Sequence, residues 1–322
     1  MHRNFLCALA CATALFAGTA HADSYPSKPV SMIVPYPAGG ATDVVARAVA
    51  EKLTQSWGQS VIVENRAGAG TTIGASSVAR APGDGYTLFM TTSAHTISGH
   101  LYSKLNYDPV KDFAPITLVT KVPLVLVVNP AIPAKTLQEF LAYLKQNSGS
   151  VNFASPGNGT AQHLSGELFK IATQSGITHV PYRGDAPAFT DLAGGQVQMM
   201  LATITSALPL IESGKLRALA VANGTRVQAL RNVPTFAEAG MPGFEAATWF
   251  GLLAPASLPP AQAQRIYEDV SKIVATPAMQ ARIESLGGEV VNSTPQAFAA
   301  FMSSEQEKWG RAVKASGAVA AQ

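Results

Sequence analysis

Cysteine is missing from everything beyond residue 11: the two in the chain are Cys7 and Cys11. Past the leader there is therefore no disulfide, no thiolate nucleophile and no Cys-ligated metal. Charge is also scarce. Charged residues make up 13% of the chain against 47% hydrophobic, and 23 Lys+Arg face 20 Asp+Glu. With no basic run and no aromatic–basic stripe, nucleic acid has no electrostatic footprint to follow. Tryptophan is confined to Trp57, Trp249 and Trp309, too scattered for a sugar-stacking platform. Gly-x-x-x-x-Gly-Lys-Ser/Thr does not occur, which removes a P-loop, and neither does Gly-x-Ser-x-Gly, which removes the nucleophile elbow of α/β-hydrolases.

Long hydrophobic runs are lacking except at the start. "FLCALACATALFAG" follows Arg3 and precedes the small-x-small triplet "AHA", the pattern of a cleavable export signal. It falls short of the roughly 20 apolar residues of a comfortable membrane span. Residues 1–22 are read as a signal peptide cleaved after Ala22, which places the mature chain in a periplasm.

What remains is rich in alternation. Apolar runs at 30–36, 60–65, 86–92, 116–130, 151–155, 177–182, 197–203, 216–223 and 248–255 read as buried strands. Helical patterns begin near Thr42, Thr71, Thr136, Thr160, Ala186 and Ala207, and Thr136 with Glu139 forms a capping box. Continuous apolar strands separated by helices imply mostly parallel sheets covered on both faces. The run 116–130 is too long for one average strand and is split by Pro123, as expected of a segment crossing between domains. A helical tail from Pro260 would return to cover the first sheet. The fold class expected is α/β, a two-domain architecture with domain 1 at 23–123 plus 224–322 and domain 2 at 124–223.

Three loops put glycines just ahead of a helix: "PYPAGGATDVVAR" (35–47), "RAGAGTTIGA" (66–75) and "ASPGNGTAQH" (154–163). In the second, the glycines at 68, 70 and 74 miss Gly-x-Gly-x-x-Gly because Ile73 holds the third position. That loop alone reads as an ordinary β–α turn. The first and third combine Gly with Thr or Ser, one in each half of the chain. Exposed N–H groups at a helix N-terminus carry about half a positive charge and can hold a carboxylate without a lysine or arginine.

Five segments, "YPSKPVSMIVPYPAGGATDVVAR", "VIVENRAGAG", "HVPYRGDAPAFTDLAGGQV", "GKLRALAV" and "VPTFAEAGMPGF", occur in that order and resemble the Bug (TctC-like) family. These are periplasmic solute-binding proteins of tripartite tricarboxylate transporters, and the resemblance spans essentially the whole mature chain. It implies a type II-like periplasmic-binding-protein fold hinged by crossover strands and closing over a small organic carboxylate. The matching first-domain positions are Tyr36, Pro37, Ala38, Gly39, Gly40 and Asp43. In the second domain they are Ser155, Gly157, Gly159, Thr160 and His163. Ser93, Gly184 and Asp185 are added as wall residues. Asp43 suits an N-cap or water-orienting role better than direct contact with an anion, because like charges repel. Thr71, Gln198, Ala202 and Asp185 depart from the family pattern, and the loss of acid at 198 and 202 leaves ligand preference open.

The other candidates are plainer. His95 and His100 lack a carboxylate at a fitting spacing, so no metal site is expected. His163 is either a ligand-side group or a partly buried helix residue bonded to a loop carbonyl. Arg66 pairs with Glu64 at the surface, and Met199 with Met200 is core. Expected partners are a small carboxylate and membrane transporter subunits or a sensor kinase, with no nucleic acid, no cofactor and a monomeric state. An exported hydrolase or isomerase with a sparse site is the rival reading.

Overall fold

The computed structural model describes residues 25–102 and 104–318; the expected signal peptide lies outside the described residues. The first strand is β1 (Val30–Val34), flanked in parallel by β2 (Val61–Asn65) and β3 (Thr87–Thr92); Val30, Met32 and Val34 are buried in one core and Ile33 in another. Helix α1 (Ala41–Trp57) crosses from β1 to β2. Its buried positions, Ala41, Thr42, Val45, Ala46, Val49, Ala50 and Leu53, recur at three- and four-residue spacing, so one stripe faces the sheet. It stops at Gly58, whose φ of 65° is left-handed and whose N–H returns to Thr54 O at 3.1 Å. Helices α2 (Thr72–Ala79) and α3 (Ala94–Leu101) follow β2 and β3.

The strand β4 (Phe113–Val128) is continuous through Pro123, contrary to the expected split. Pro123 needs no ladder donor of its own where the strand changes partners. Up to Pro123 it pairs antiparallel with β9 (Ala247–Pro255), and from Leu124 with β7 (Met199–Thr203) and β8 (Arg217–Val221). One strand thus belongs to both lobes. The second lobe adds α4 (Leu137–Gln146), β5 (Asn152–Ser155), α5 (Ala161–Thr173), β6 (Thr178–Pro181), α6 (Asp185–Ala193) and α7 (Ile204–Glu212). The order across the sheet is β2-β1-β3-β9-β4-β7-β5-β6. Its outer strands are parallel, as expected; the seam strands β4 and β9 run antiparallel to their neighbours.

Helices α8 (Pro260–Val274), α9 (Pro277–Ser285) and α10 (Pro295–Ser316) complete the chain, with the short β10 (Glu289–Val290) pairing against β4. Both α8 and α10 return to the first lobe: Ile266 and Val270 join the core of Val30 and Met32, and Phe298 and Met302 join that of Ile33, Phe89 and Trp249. Phe236, Ala239 and Phe244 still pack with Phe140, Phe153 and Phe169 of the second lobe, and the chain re-enters the first only at Ala247. A separate apolar cluster of Ile97, Leu101, Ala161, Leu164 and Trp309 ties α3 and α10 to α5 across the lobes.

Candidate functional site

Five helices come next in the chain after parallel strands: α1 after β1 and α3 after β3 in one lobe, and α5 after β5, α6 after β6 and α7 after β7 in the other, where the strands run in the opposite direction. The carboxyl ends of parallel strands are where an open α/β sheet leaves a crevice. Residues from all five of these junctions line one small cavity of about 30 Å³ between the lobes, among them Gly40, Thr92, Gln162, Asp185 and Thr203. Thr248 and Phe250 of β9 close its floor. Tyr36, Pro37, Pro156 and Gly184 are shared with a larger, more open space of about 580 Å³, whose far walls are Ala67–Thr71, Tyr102, Gly157, Asn158 and Thr160.

Of the positions singled out in the sequence, Tyr36, Pro37, Gly40, Gly157, Thr160, Gly184 and Asp185 line one or both spaces. Gly40 is the N-cap of α1, and a Cβ there would stand 3.3 Å from Asp185 Oδ2, so the two lobes touch at this residue. Gly184 has φ +112°, and a Cβ on it would meet Pro37 Cγ at 3.1 Å. Glycine there lets the loop before α6 approach the loop after β1.

The others stand behind the walls. Asp43 is 3% exposed and lines neither space. Its carboxylate accepts Gly39 N–H at 3.0 Å, Arg47 Nε at 2.9 Å and Asn65 Nδ2 at 2.9 Å, and so fixes the first loop from beneath. Burial pulls its pKa upward, but those donors outweigh burial and hold the carboxyl below its ordinary range. Ala38 and Gly39 are exposed at the loop tip. Ser93 Oγ shares a hydrogen bond of 3.0 Å with Thr248 Oγ1 and orients that wall residue. Gly159 packs its Cα side against Leu101, which holds the third loop on α3.

Ser155 and His163 form a layer under the third loop. Ser155 Oγ lies 2.6 Å from His179 Nε2 and accepts Gly157 N–H at 3.2 Å. His163 Nδ1 accepts Gly159 N–H at 3.2 Å, and its ring stacks on His179 with centroids 3.9 Å apart. The partner of His163 is therefore a loop amide, not a loop carbonyl. Burial lowers the pKa of His163 to about 4. Burial, then the neighbouring charges of His163 and Lys170, lower that of His179 to about 3. Both rings are neutral near pH 7, as an acceptor for an amide must be.

Sequence reasoning passed over the second loop as an ordinary turn. In the fold it faces the third: a Cβ on Gly70 would lie 3.1 Å from Asn158 O and would run into the Tyr102 hydroxyl. Thr71 is 2% exposed with φ +84°, and its hydroxyl has no hydrogen-bond partner. A buried threonine in the left-handed region was its only local signal, and that signal is invisible before folding. Gln198, in contrast, is remote from the cleft. It lies before β7, where it accepts Asn152 N–H at 2.9 Å and donates to Gly195 O at 3.1 Å, while Ala202 is sealed inside β7 opposite Val125. The missing acids at 198 and 202 do not alter the charge of the cleft walls.

Electrostatically the small cavity is simple. Asp185 is the one formally charged side chain among its lining residues. Its Oδ2 accepts Ser206 Oγ at 2.7 Å and Ala41 N–H at 3.5 Å; Oδ1 is buried with no partner. Burial raises its pKa against the opposing effect of those two donors. Burial likewise raises the phenol of Tyr36, whose hydroxyl lies 3.1 Å from Thr92 Oγ1. Arg183, exposed at the rim, is the cation that lines the larger space. Among the described residues no three His, Cys, Asp or Glu gather in a way that could hold a metal ion.

Comparison with known proteins gives a consistent picture. The model of the tripartite tricarboxylate transporter family receptor, TctC, matches residues 45–318. BugT of Bordetella pertussis is 38% identical over 309 residues, covering 95% of each chain. Among solved structures, R. palustris Rpa4515 with adipate is similar at a TM-score of 0.89 and 34% identity, over 92% of this chain and 99% of that one. MatC from Rhodopseudomonas palustris with bound malate is similar at a TM-score of 0.84 and 33% identity, over 90% and 100%.

Proposed function

The chain belongs to the TctC family of tripartite tricarboxylate transporter receptors, and from that premise we propose that it is a periplasmic solute-binding protein that captures a small organic carboxylate between its lobes and hands it to membrane transporter subunits. The observation that carries this reading is the convergence of five helix N-termini on one interlobe cleft. The dipoles and N–H groups of helix N-termini attract an anion without a side-chain cation. Similarity to proteins whose structures hold adipate and malate supports the same ligand chemistry.

In this reading Tyr36, Pro37, Gly40, Gly157, Thr160, Gly184 and Asp185 are the walls, joined by Thr71, Thr92, Gln162, Thr203 and Thr248. Asp43, Ser93, Ser155, Gly159 and His163 hold those walls in place. The lobes divide at 123/124 and 246/247, where β4 changes partners and β9 begins, and closure rotates them about these two crossings. An export signal at residues 1–22 delivers the chain to the periplasm. No bond is made or broken in this cycle, so a receptor needs no nucleophile–base pair.

Mass spectrometry of material released from gently purified protein, followed by a thermal-shift screen of organic acids, tests the reading. A ligand that binds only the folded form raises Tm with concentration. Chemical conversion of a bound acid by the purified protein would overturn it. Deletion of the gene should abolish uptake of the identified acid; loss of gene induction with uptake intact would assign the protein to a sensor instead.

A further inference from the structure

Two side-chain oxygens of cleft-wall residues are buried without a hydrogen-bond partner: Oδ1 of Asp185, which lines the small cavity, and Oγ1 of Thr71, which lines the larger space. An unsatisfied buried acceptor is costly unless something supplies the missing donor. The two atoms differ in what they ask for. A hydroxyl can donate to a carboxylate, whereas an ionised aspartate can only accept.

The position of Asp185 sharpens the point. Its Oδ2 reaches across the interlobe gap to Ala41 N–H, at the N-terminus of α1, while Ser206 Oγ of α7 holds it from its own lobe. The carboxylate therefore lies where the first loop would otherwise offer its backbone to an anion. Gly40 has no side chain to keep it out, and a Cβ there would be 3.3 Å from Oδ2. No lysine or arginine lines this cavity. Wherever Asp185 is ionised, a ligand carboxylate brought against Oδ1 meets a like charge at contact distance in a poorly solvated site.

We propose that Asp185 determines the ligand class by filling the α1 anion position with the protein's own carboxylate and turning Oδ1 towards the solute as an acceptor. The solute is then an acid with one carboxylate and a donor group, an ammonium or carboxamide, at its other end, and not a di- or tricarboxylate. This rests on the carboxylate-receptor reading above. The single ligand carboxylate belongs to the larger space, where the exposed Arg183 guanidinium is the available cation. The donor end points into the small cavity, past the walls that the two spaces share.

The test is isothermal titration calorimetry of the purified protein at pH 7.5 with two matched series. One is succinate, succinamate and 4-aminobutanoate; the other is glutarate, glutaramate and 5-aminopentanoate. The half-amide or amino acid of at least one series should bind at least tenfold more tightly than its dicarboxylate. In Asp185→Asn, 4-aminobutanoate or 5-aminopentanoate should lose at least tenfold while the dicarboxylate gains. Asp185→Ser repeats the measurement with a smaller side chain, and the wild-type ranking needs no variant to fold. Equal or tighter binding of the dicarboxylates by the wild type overturns the proposal and leaves the carboxylate receptor standing, as does an unchanged ranking in both variants. Binding by none of the six acids overturns the proposal, and the thermal-shift screen of organic acids decides the carboxylate-receptor reading separately.

Discussion

Gly40→Val separates closure of the cleft from stability of the fold. Gly40 has φ −80° and ψ 171°, extended values open to any residue, so a side chain there strains no backbone. What it meets is the other lobe. The first carbon would lie 3.3 Å from Asp185 Oδ2 and 3.9 Å from Pro37 O, so alanine is accommodated by a shift of a few tenths of an ångström. The two further methyls of valine must enter a cavity of about 30 Å³, room for about one water. Overpacking of this kind costs about 1–3 kcal/mol. The cost falls on the closed form, because opening carries Asp185 away from α1. The closed-to-open ratio should drop by about 5- to 150-fold, and affinity for any acid that closes the wild type should drop with it. The only change in the ligand-free protein should be the poorer helix cap, about 1 kcal/mol at most. Calorimetric titration and urea unfolding without ligand, run on Gly40→Ala and Gly40→Val, measure the two effects. Affinity unchanged in the valine variant would refute the reasoning, and so would a loss of ligand-free stability as large as the loss of binding energy.

Other expectations follow from the same structure. Glu305 Oε2 accepts both Trp249 Nε1 at 3.0 Å and Trp309 Nε1 at 2.7 Å, and all three side chains are buried. Glu305→Ala should cost about 2–5 kcal/mol in urea unfolding, since each orphaned buried donor costs about 1–3 kcal/mol; Glu305→Gln, which keeps one carbonyl, should cost less, and equal losses would contradict this account. His95, His163 and His179 have folded pKa values lowered by burial to about 4, 4 and 3. Below about pH 6.5 the unfolded chain binds more protons, so stability is full above that pH and falls towards pH 4 by up to about 1.4 kcal/mol per unit for each ring. His179→Gln should flatten the slope of stability against pH by about one histidine's share, and an unaltered slope would show that the ring is already charged in the fold. Asp43→Ala frees Gly39 N–H, Arg47 and Asn65 together, and should weaken acid binding several-fold although Asp43 lines neither space; unchanged affinity would mean that the first loop holds its shape unaided.

Much of the fold was readable because this sheet is covered on both faces. A strand buried on both sides, such as β1 or β7, is apolar at nearly every position, and such runs stand out between helices. The cap at Thr136 was legible for a local reason: its side chain accepts Glu139 N–H while Glu139 reaches back to Lys135 N–H. Helix α3 was not, since "AHTISGHL" is short, rich in β-branched and small residues, and joined to β3 by Ser93 alone. Helix α7 begins at Ile204, three residues ahead of expectation, directly at the end of β7, where β-branched Ile204 and Thr205 give no helix-start signal of their own. The direction of β4 and β9 is a property of topology, and no residue pattern announces it. Phe236 and Phe244 pack against Phe140, Phe153 and Phe169 of the second lobe, a contact that no local pattern announces.

The site divides along the same line. Glycine, threonine and serine before a helix mark a β–α junction wherever they occur, so the first and third loops could be found locally. Which junctions face each other depends on how the lobes close, and only that geometry brings Thr71 and Tyr102 onto the wall opposite Asn158. Asp185 stood out in the sequence as a departure from the family pattern, but its partner across the gap, Ala41 N–H, carries no side-chain signal at all.

Charge bookkeeping then says what the cleft can tolerate. Five helix N-termini at about half a positive charge each offer about +2.5 in total, an upper figure because α3, α6 and α7 are short. That field is fixed by the backbone and cannot be withdrawn by a change of rotamer. With no lysine or arginine among the small cavity's walls, one aspartate removes a large fraction of it and leaves about +1.5. A residual field of that size matches one carboxylate and falls short of three. The same chemistry explains why an acid can sit at the heart of an anion cleft. Oδ2 of Asp185 is held by donors from two helix starts, α1 and α7, so the carboxylate is stabilised by the very groups that would otherwise hold a ligand. The helix starts supply the positive field of this cleft, and the ionised form of Asp185 sets how much of it is left for the solute.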